Sequence, residues 1–131
     1  MKKESEALAR YRMKRARETF KDGLLLLEQG SPNGAISRFY YAAFHAARAL
    51  LATKGLDASR HTGVIKLFSQ HFVKSGLILA ATAKVLSRSF EKRLDSEYED
   101  YVSFSKEEAE HVRDEVREFM RACEKALADN E

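Results

Sequence analysis

Residues 35–51 have the sequence AISRFYYAAFHAARALL, and this stretch decides which fold the chain can adopt. Its apolar residues recur at spacings of three and four, which is typical of an α-helix. Between Phe39 and Leu51 the predicted helix is apolar on almost every side, so it needs neighbours on several sides. Either a second copy of the chain or the other helices of a single bundle can enclose it, and the sequence leaves both open.

The same periodicity on either side of this stretch predicts four more helices. Gly30 can end the first helix, while Ser31 and Pro32 suit the start of the second. Ser105 and Glu108 have the spacing of a capping box at the start of the last helix. The predicted fold is all-α, an up-and-down bundle of about five helices in a single domain over residues 1–131. The predicted helices cover residues 5–29, 32–54, 60–74, 77–92 and 106–128, with Ser59 as a further cap and an ordered loop over residues 93–104.

Composition excludes several classes of protein. Among 131 residues there are six glycines and one proline, too few for a turn-rich β-sandwich or barrel. The single cysteine, Cys123, excludes an internal disulfide and a cysteine-based zinc cluster. The longest uncharged apolar run, residues 75–83, has nine residues, half the roughly 18 that span a bilayer, and the N-terminus lacks an apolar signal core. These features predict a soluble, cytoplasmic protein with no membrane association, cofactor or metal.

Charge is unevenly distributed along the chain. Residues 1–90 contain 16 Lys and Arg against 6 Asp and Glu, whereas residues 91–131 contain 7 against 14. A basic body attracts polyanions by Coulomb forces and counterion release. The acidic end can equally neutralise the basic part, within one molecule or across an oligomer, and a solvated helical surface also fits.

Four polar residues of the second predicted helix recur at spacings of three, four and three, so they share one face: Arg38, Tyr41, His45 and Arg48. Beside them lies a patch of small residues that could admit a backbone or a flat ligand: Ala42, Ala46 and Ala49. Arginine pairs with phosphate in a fork, histidine moves protons near neutral pH and tyrosine stacks on bases, which suits a nucleotide phosphate or a phosphodiester. The alternative is structural: the arginines pair with acids of the last helix, and Tyr41 and His45 make core hydrogen bonds.

Other polar residues give weaker signals. Arg60 and His61 begin the third predicted helix, where free N–H groups can hold an anion or where the pair can simply cap the helix. His111 falls beside Glu115 on the outer face of the last helix, which predicts a solvated histidine. Cys123 lies on the apolar stripe of that helix, which predicts a buried, inert thiol. The sequence contains no H-E-x-x-H motif and no phosphate-binding glycine motif.

Residues 35–51 resemble the hallmark helix of HEPN domains (higher eukaryotes and prokaryotes nucleotide-binding), in their small stand-alone branch. Later segments are similar to the continuation of that pattern, over about residues 5–128: Gly55, residues 61–64, residues 72–76, and Arg93 followed by Glu97 and Tyr98. The branch usually has aspartate where this chain has Glu97.

The resemblance implies a helical bundle that commonly dimerises and acts on or beside nucleotides and RNA. Many relatives are encoded next to a minimal nucleotidyltransferase, as its helical partner or as the toxin of a toxin–antitoxin pair. Active HEPN nucleases use an Arg and a His with four to six residues between them for metal-independent RNA cleavage at a dimer cleft. Here Arg38 and His45 have six residues between them, although the pair lies in the second helix and Phe39 follows the Arg.

Three functions therefore follow from the sequence. The first is a homodimeric HEPN protein that binds nucleotide or RNA and partners a nucleotidyltransferase in a toxin–antitoxin-type pair. The second is a metal-independent ribonuclease toxin in which Arg38 stabilises phosphorane charge and His45 transfers protons. The third is a helical adaptor that binds no ligand.

Overall fold

The structure, a computed structural model, describes residues 3–98 and 103–129, and within these residues the chain is helical and contains no β-strand. The predicted all-α bundle is confirmed. The first, second and fifth helices begin and end within two residues of the predicted limits. The five helices are α1 (Lys3–Glu28), α2 (Pro32–Thr53), α3 (His61–Phe68), α4 (Ala80–Tyr98) and α5 (Lys106–Asp129).

Helix α2 lies at the centre of the bundle, packed against α1, α5, α4 and α3. Fourteen of its 22 residues are buried, because the other helices cover it on nearly every side. The structure therefore encloses α2 within one chain, and its apolar surface does not require a second copy.

Three helix ends follow the local sequence and one does not. Gly30 has a φ of 82°, which ends α1, and Ser31 is the N-cap of α2, although its side chain makes no capping hydrogen bond. At the start of α5, the Glu108 N–H donates to Ser105 Oγ over 3.0 Å and the Ser105 N–H donates to Glu108 Oε1 over 3.2 Å. The predicted capping box is confirmed. The predicted cap at Ser59 was wrong, since the N-cap of α3 is Arg60.

Two observed helices begin or end at other residues than predicted. The helix predicted over residues 60–74 ends as α-helix at Phe68 and continues as a π-helical turn over Ser69–Val73. The helix predicted over residues 77–92 is Ala80–Tyr98, so the loop predicted to begin at residue 93 was wrong up to Tyr98. No glycine or proline interrupts residues 77–98, and a missing apolar stripe does not by itself end a helix. Residues 99–102 of that predicted loop lie outside the described residues.

Helices α1 and α2 run antiparallel and approach closely at Gly23. A Cβ atom at Gly23 would lie 2.6 Å from Phe39 Cε1 and 3.3 Å from Arg38 Cβ. Because Phe39 is fully buried, its ring has little room to move away. Gly23 therefore sets the distance between α1 and the part of α2 that contains Arg38.

Neither a transmembrane segment nor a metal-binding cluster is found in the described part of the chain. No helix there has both the length and the apolar character that crossing a bilayer requires. No group of three or more His, Cys, Asp or Glu side chains in the same residues could hold a metal ion. The cytoplasmic location stays a prediction.

Candidate functional site

The four polar residues that were predicted to share one face of α2 lie on the side of that helix that borders α1 and the loop before α3: Arg38, Tyr41, His45 and Arg48. Each is half-buried, so each keeps some contact with solvent. The neighbouring Ala42, Ala46 and Ala49 have no exposed surface at all. Of the two occupants predicted for this patch, a flat ligand has no access, whereas the close approach of another backbone fits, because the neighbouring helices cover these alanines.

Arg48 belongs to a hydrogen-bonded network around Asp57, which lies in the loop between α2 and α3. Arg48 Nε donates to Asp57 Oδ1 over 3.1 Å and Arg48 Nη2 donates to Oδ2 over 2.8 Å. Arg12 of α1 donates to the same Oδ2 over 3.0 Å and to the Arg48 carbonyl over 3.2 Å. The hydrogen bonds from Arg48, with burial opposing them, hold the pKa of Asp57 at about 2. The predicted pairing of Arg48 with acids of the last helix was wrong, since its partner comes from the loop.

Arg38 has a different environment. Its guanidinium carbon lies 5.0 Å from the centre of the Tyr41 ring, which is a cation–π distance. No carboxylate of the described residues forms an ion pair with it. Its N–H groups therefore remain available to an external acceptor, which is the arrangement expected of a ligand site rather than of a structural ion pair.

His45 is surrounded by positive charge. Burial, followed by the charges of four arginines, lowers the pKa of His45 from its ordinary 6.5 to about 4. The imidazole is therefore neutral at neutral pH, and the core hydrogen bond predicted for it is not observed among the described residues. The name arginine cluster is used below for the four guanidinium groups around His45: Arg12, Arg15, Arg38 and Arg48.

The two residues predicted at the start of α3, Arg60 and His61, have different environments. The His61 ring packs on Phe44 at 4.4 Å between ring centres and lies 6.4 Å from the Tyr41 ring. His61 therefore borders the site through Tyr41. The Arg60 side chain is exposed and makes no contact with the arginine cluster in the described residues, so the structure does not bring it into the site.

Sequence reasoning missed three residues of the site: Arg12, Arg15 and Asp57. Arg12 and Arg15 are three apart on α1 and so lie on neighbouring turns of one side. The sequence shows that both residues are basic, but it does not show that they lie near His45, because that position depends on how α1 packs against α2. The position of Asp57 depends in turn on the path of the loop after Gly55.

Two other residues have the environments predicted for them. Cys123 is fully buried, and this burial raises the pKa of its thiol far above the ordinary value, so it is inert at neutral pH. His111 is exposed, with its Nε2 atom 3.4 Å from Glu115. Neither residue contacts the arginine cluster.

The arrangement as a whole is suited to binding an anion. Only two of the four guanidinium groups, those of Arg12 and Arg48, bind the Asp57 carboxylate, so the cluster keeps an excess of positive charge beside a neutral imidazole. Guanidinium groups match the oxygens of a phosphate, and the imidazole can accept a proton when negative charge arrives. The Tyr41 and His61 rings add aromatic surface on which a base can stack.

Comparison with known proteins gives one family. A family model described as HEPN domain matches residues 9–126. A UPF0332 protein of Thermotoga maritima is 39% identical over 129 residues, which cover 96% of each chain. A Methanocaldococcus jannaschii protein named "Putative toxin MJ0605" is 35% identical over 114 residues, covering 87% of this chain and 84% of its own. The residues that the family model matches include the whole arginine cluster and Asp57.

Proposed function

The chain belongs to the HEPN domain family, and from this premise we propose that it binds RNA or a nucleotide through a phosphate held by the arginine cluster. The observation that supports this proposal most directly is the environment of His45. Burial and four guanidinium groups keep this half-buried imidazole neutral, and a bound anion would offset their positive charge and let the imidazole take up a proton. Arg38, which pairs with no carboxylate in the described residues, supplies donors for that anion.

The proposal predicts that RNA binding depends on pH through His45. A bound phosphodiester should raise the pKa of His45 above its value of about 4 in the free protein. Between those two values the complex holds more protons than the free protein, so the affinity should rise as the pH falls from about 7.5 towards about 5. The phosphodiester itself keeps one negative charge over that range. Affinity measured by fluorescence anisotropy, together with NMR titration of the imidazole protons, tests this prediction.

His45→Gln is the control for this experiment, because it keeps a polar side chain but cannot take up the proton. The other histidines, including His71 and His111, are present in both proteins, so their contribution cancels. Affinity that depends on pH to the same extent in the variant would contradict a role for His45.

We further propose that the chain works in a toxin–antitoxin-type pair, as the homodimeric partner of a minimal nucleotidyltransferase. The names of two relatives support the first part: "Putative toxin MJ0605" and "Putative toxin MJ0142" of the same organism, the latter 30% identical over 93 residues. Sedimentation of the protein alone, and after coexpression with any nucleotidyltransferase encoded beside it, tests the assembly. A monomer that does not bind the neighbouring product would refute this part and leave RNA binding untouched.

A second candidate function is metal-independent RNA cleavage, which the neutral state of the His45 imidazole favours. A neutral imidazole can act as a general base, and Arg38 on the same face can stabilise charge on the phosphorane. Expression should then arrest growth, and His45→Ala should abolish the arrest while the protein stays folded. Growth arrest that persists with His45→Ala would exclude this mechanism. Growth assays and circular dichroism give the two measurements.

A further inference from the structure

Residues 10–17 have the sequence RYRMKRAR, in which five of eight residues are basic. Arg12 and Arg15 belong to the arginine cluster, but the other three basic residues point elsewhere. Met13 and Ala16 are buried in the core, whereas the remaining residues of this segment, apart from the half-buried Arg12, are exposed. The name basic ridge is used below for the exposed residues that do not belong to the arginine cluster: Arg10, Tyr11, Lys14 and Arg17.

The basic ridge lies between two basic surfaces. On one side of α1 is the arginine cluster, where α1 meets α2. On the other side, Arg17 borders a depression between α1 and α5 whose floor contains Phe20 and Met120. Arg117 and Arg121 of α5 line that depression together with Glu124, and the Arg117 guanidinium lies 5.4 Å from the Phe20 ring and 3.8 Å from Asp114. Basic side chains therefore extend across α1 from the arginine cluster to this depression.

The acids near this surface neutralise it only weakly. Arg17 lies 3.7 Å from Glu124, and Arg10 lies 3.9 Å from Glu6. These contacts are long, and both arginines are exposed, so water screens them and each stabilises the protein little. Lys14 forms no ion pair with any carboxylate in the described part of the chain. The ridge thus keeps positive charge that an external polyanion could neutralise.

Tyr11 indicates which kind of polyanion fits. Its side chain is 58% exposed in the middle of the ridge, with basic residues on both sides. Proteins that bind single-stranded nucleic acid combine basic side chains along the backbone with aromatic rings on which bases stack. A bilayer surface would instead need a continuous apolar helix face, whereas the apolar stripe of α1 is buried in the bundle and the exposed Leu8 and Leu25 lie 17 residues apart.

We propose that the basic ridge binds single-stranded RNA that extends from the arginine cluster across α1 into the groove between α1 and α5. Lys14 and Arg17 contact successive phosphates, and Tyr11 stacks on a base. This inference rests on the proposed phosphate site at the arginine cluster and adds the direction in which a longer RNA leaves it.

Affinity measured against RNA length and salt concentration tests the inference. Fluorescence anisotropy should show tighter binding for oligouridylates of about six and about twelve nucleotides than for a dinucleotide. Lys14→Ala with Arg17→Ala should reduce the slope of log affinity against log salt by roughly 1.4, because each phosphate contact in a single strand contributes about 0.7. Tyr11→Ala should weaken binding of the longer RNAs at least about fivefold and leave the dinucleotide unaffected.

Lys66→Ala with Lys84→Ala is the matched control. It removes the same charge from α3 and α4, which pack against α2, and both lysines are exposed. A ridge variant with the same slope and affinity as this control would overturn the inference. A second result would also overturn it: anionic phospholipid vesicles bind the protein, and Tyr11→Ala and the double ridge variant weaken vesicle binding as much as they weaken RNA binding.

The failure of this inference can be told apart from the failure of the proposed function. If a dinucleotide shifts the His45 signals but the ridge variants behave like the control, only the inference is wrong. If the longer RNAs bind through the ridge and no nucleotide shifts the His45 signals, the phosphate site is wrong, and so is the path that starts from it.

Discussion

Replacing Arg15 and Arg38 together by alanine should weaken binding of a short RNA about 30-fold and raise the pKa of His45. The loss of affinity corresponds to roughly 1 kcal/mol for each charged contact with phosphate at a partly exposed site. The pKa should rise because Arg15 contributes the largest charge effect on the imidazole and Arg38 a further one. It should stop short of 6.5, since burial is the largest cause and remains.

Both effects of the Arg15→Ala, Arg38→Ala variant can be measured on one sample, by anisotropy for affinity and by NMR titration for the pKa. The Lys66→Ala, Lys84→Ala variant removes two positive charges from elsewhere and should change neither quantity appreciably. An unchanged pKa of His45 in the arginine variant would contradict the geometry of the cluster. If the pKa of His45 rises but the affinity for RNA is unchanged, the geometry of the cluster is supported and only its role in binding phosphate is contradicted.

Replacing Asp57 by alanine should lower the free energy of unfolding by about 1–2 kcal/mol, since its side chain is 45% exposed and water screens part of the interaction; this is still the largest stability change expected from any single substitution of a charged residue at this site. The carboxylate accepts hydrogen bonds from Arg48, Arg12 and the Ala58 N–H, so its loss leaves two guanidinium groups close together without a counterion. Arg12 makes the cost high, because its side chain is only 12% exposed. Urea unfolding followed by circular dichroism measures the change.

The effect of Asp57→Ala should itself depend on pH. The pKa of Asp57 is about 2 in the folded protein and near 3.8 in an unfolded chain, so its contribution is complete above about 4 and is lost as the pH falls towards 2. The difference between the two proteins should shrink over that window. Asp114→Ala is the matched control: Asp114 also bonds an arginine, over 2.8 Å, but its side chain is 60% exposed, and its loss should cost under about 0.5 kcal/mol. Equal effects of the two substitutions would contradict a special role for Asp57.

The sequence predicted the fold well because the information is local. The apolar spacing of residues 35–51, the Gly30 break and the Ser105 capping box each act within one or two helical turns, and each is found in the structure. The end of α4 was predicted wrongly because the prediction relied on this local apolar spacing. A polar segment gives no apolar periodicity, whether or not its backbone stays helical.

The site was predicted only in part, because half of it comes from elsewhere in the chain. Arg38, Tyr41, His45 and Arg48 share a face by helical geometry alone, which the sequence reveals. The roles of Arg12 and Asp57 depend on contacts between residues 36 and 45 positions apart along the chain, such as those from Arg12 to Arg48 and to Asp57. Spacing within one helix contains no information about such contacts.

The close approach of α1 and α2 at Gly23 should be visible in a genetic screen. Any side chain at this position would collide with the Phe39 ring and push α1 away from α2 beside Arg38, so the arginines of the two helices would no longer face one histidine at the same separation. A random-mutagenesis screen that selects for loss of function should therefore return alleles of Gly23 alongside those of the charged residues. Gly23 touches no ligand, and its intolerance to substitution would record the spacing of two helices rather than any chemistry of its own.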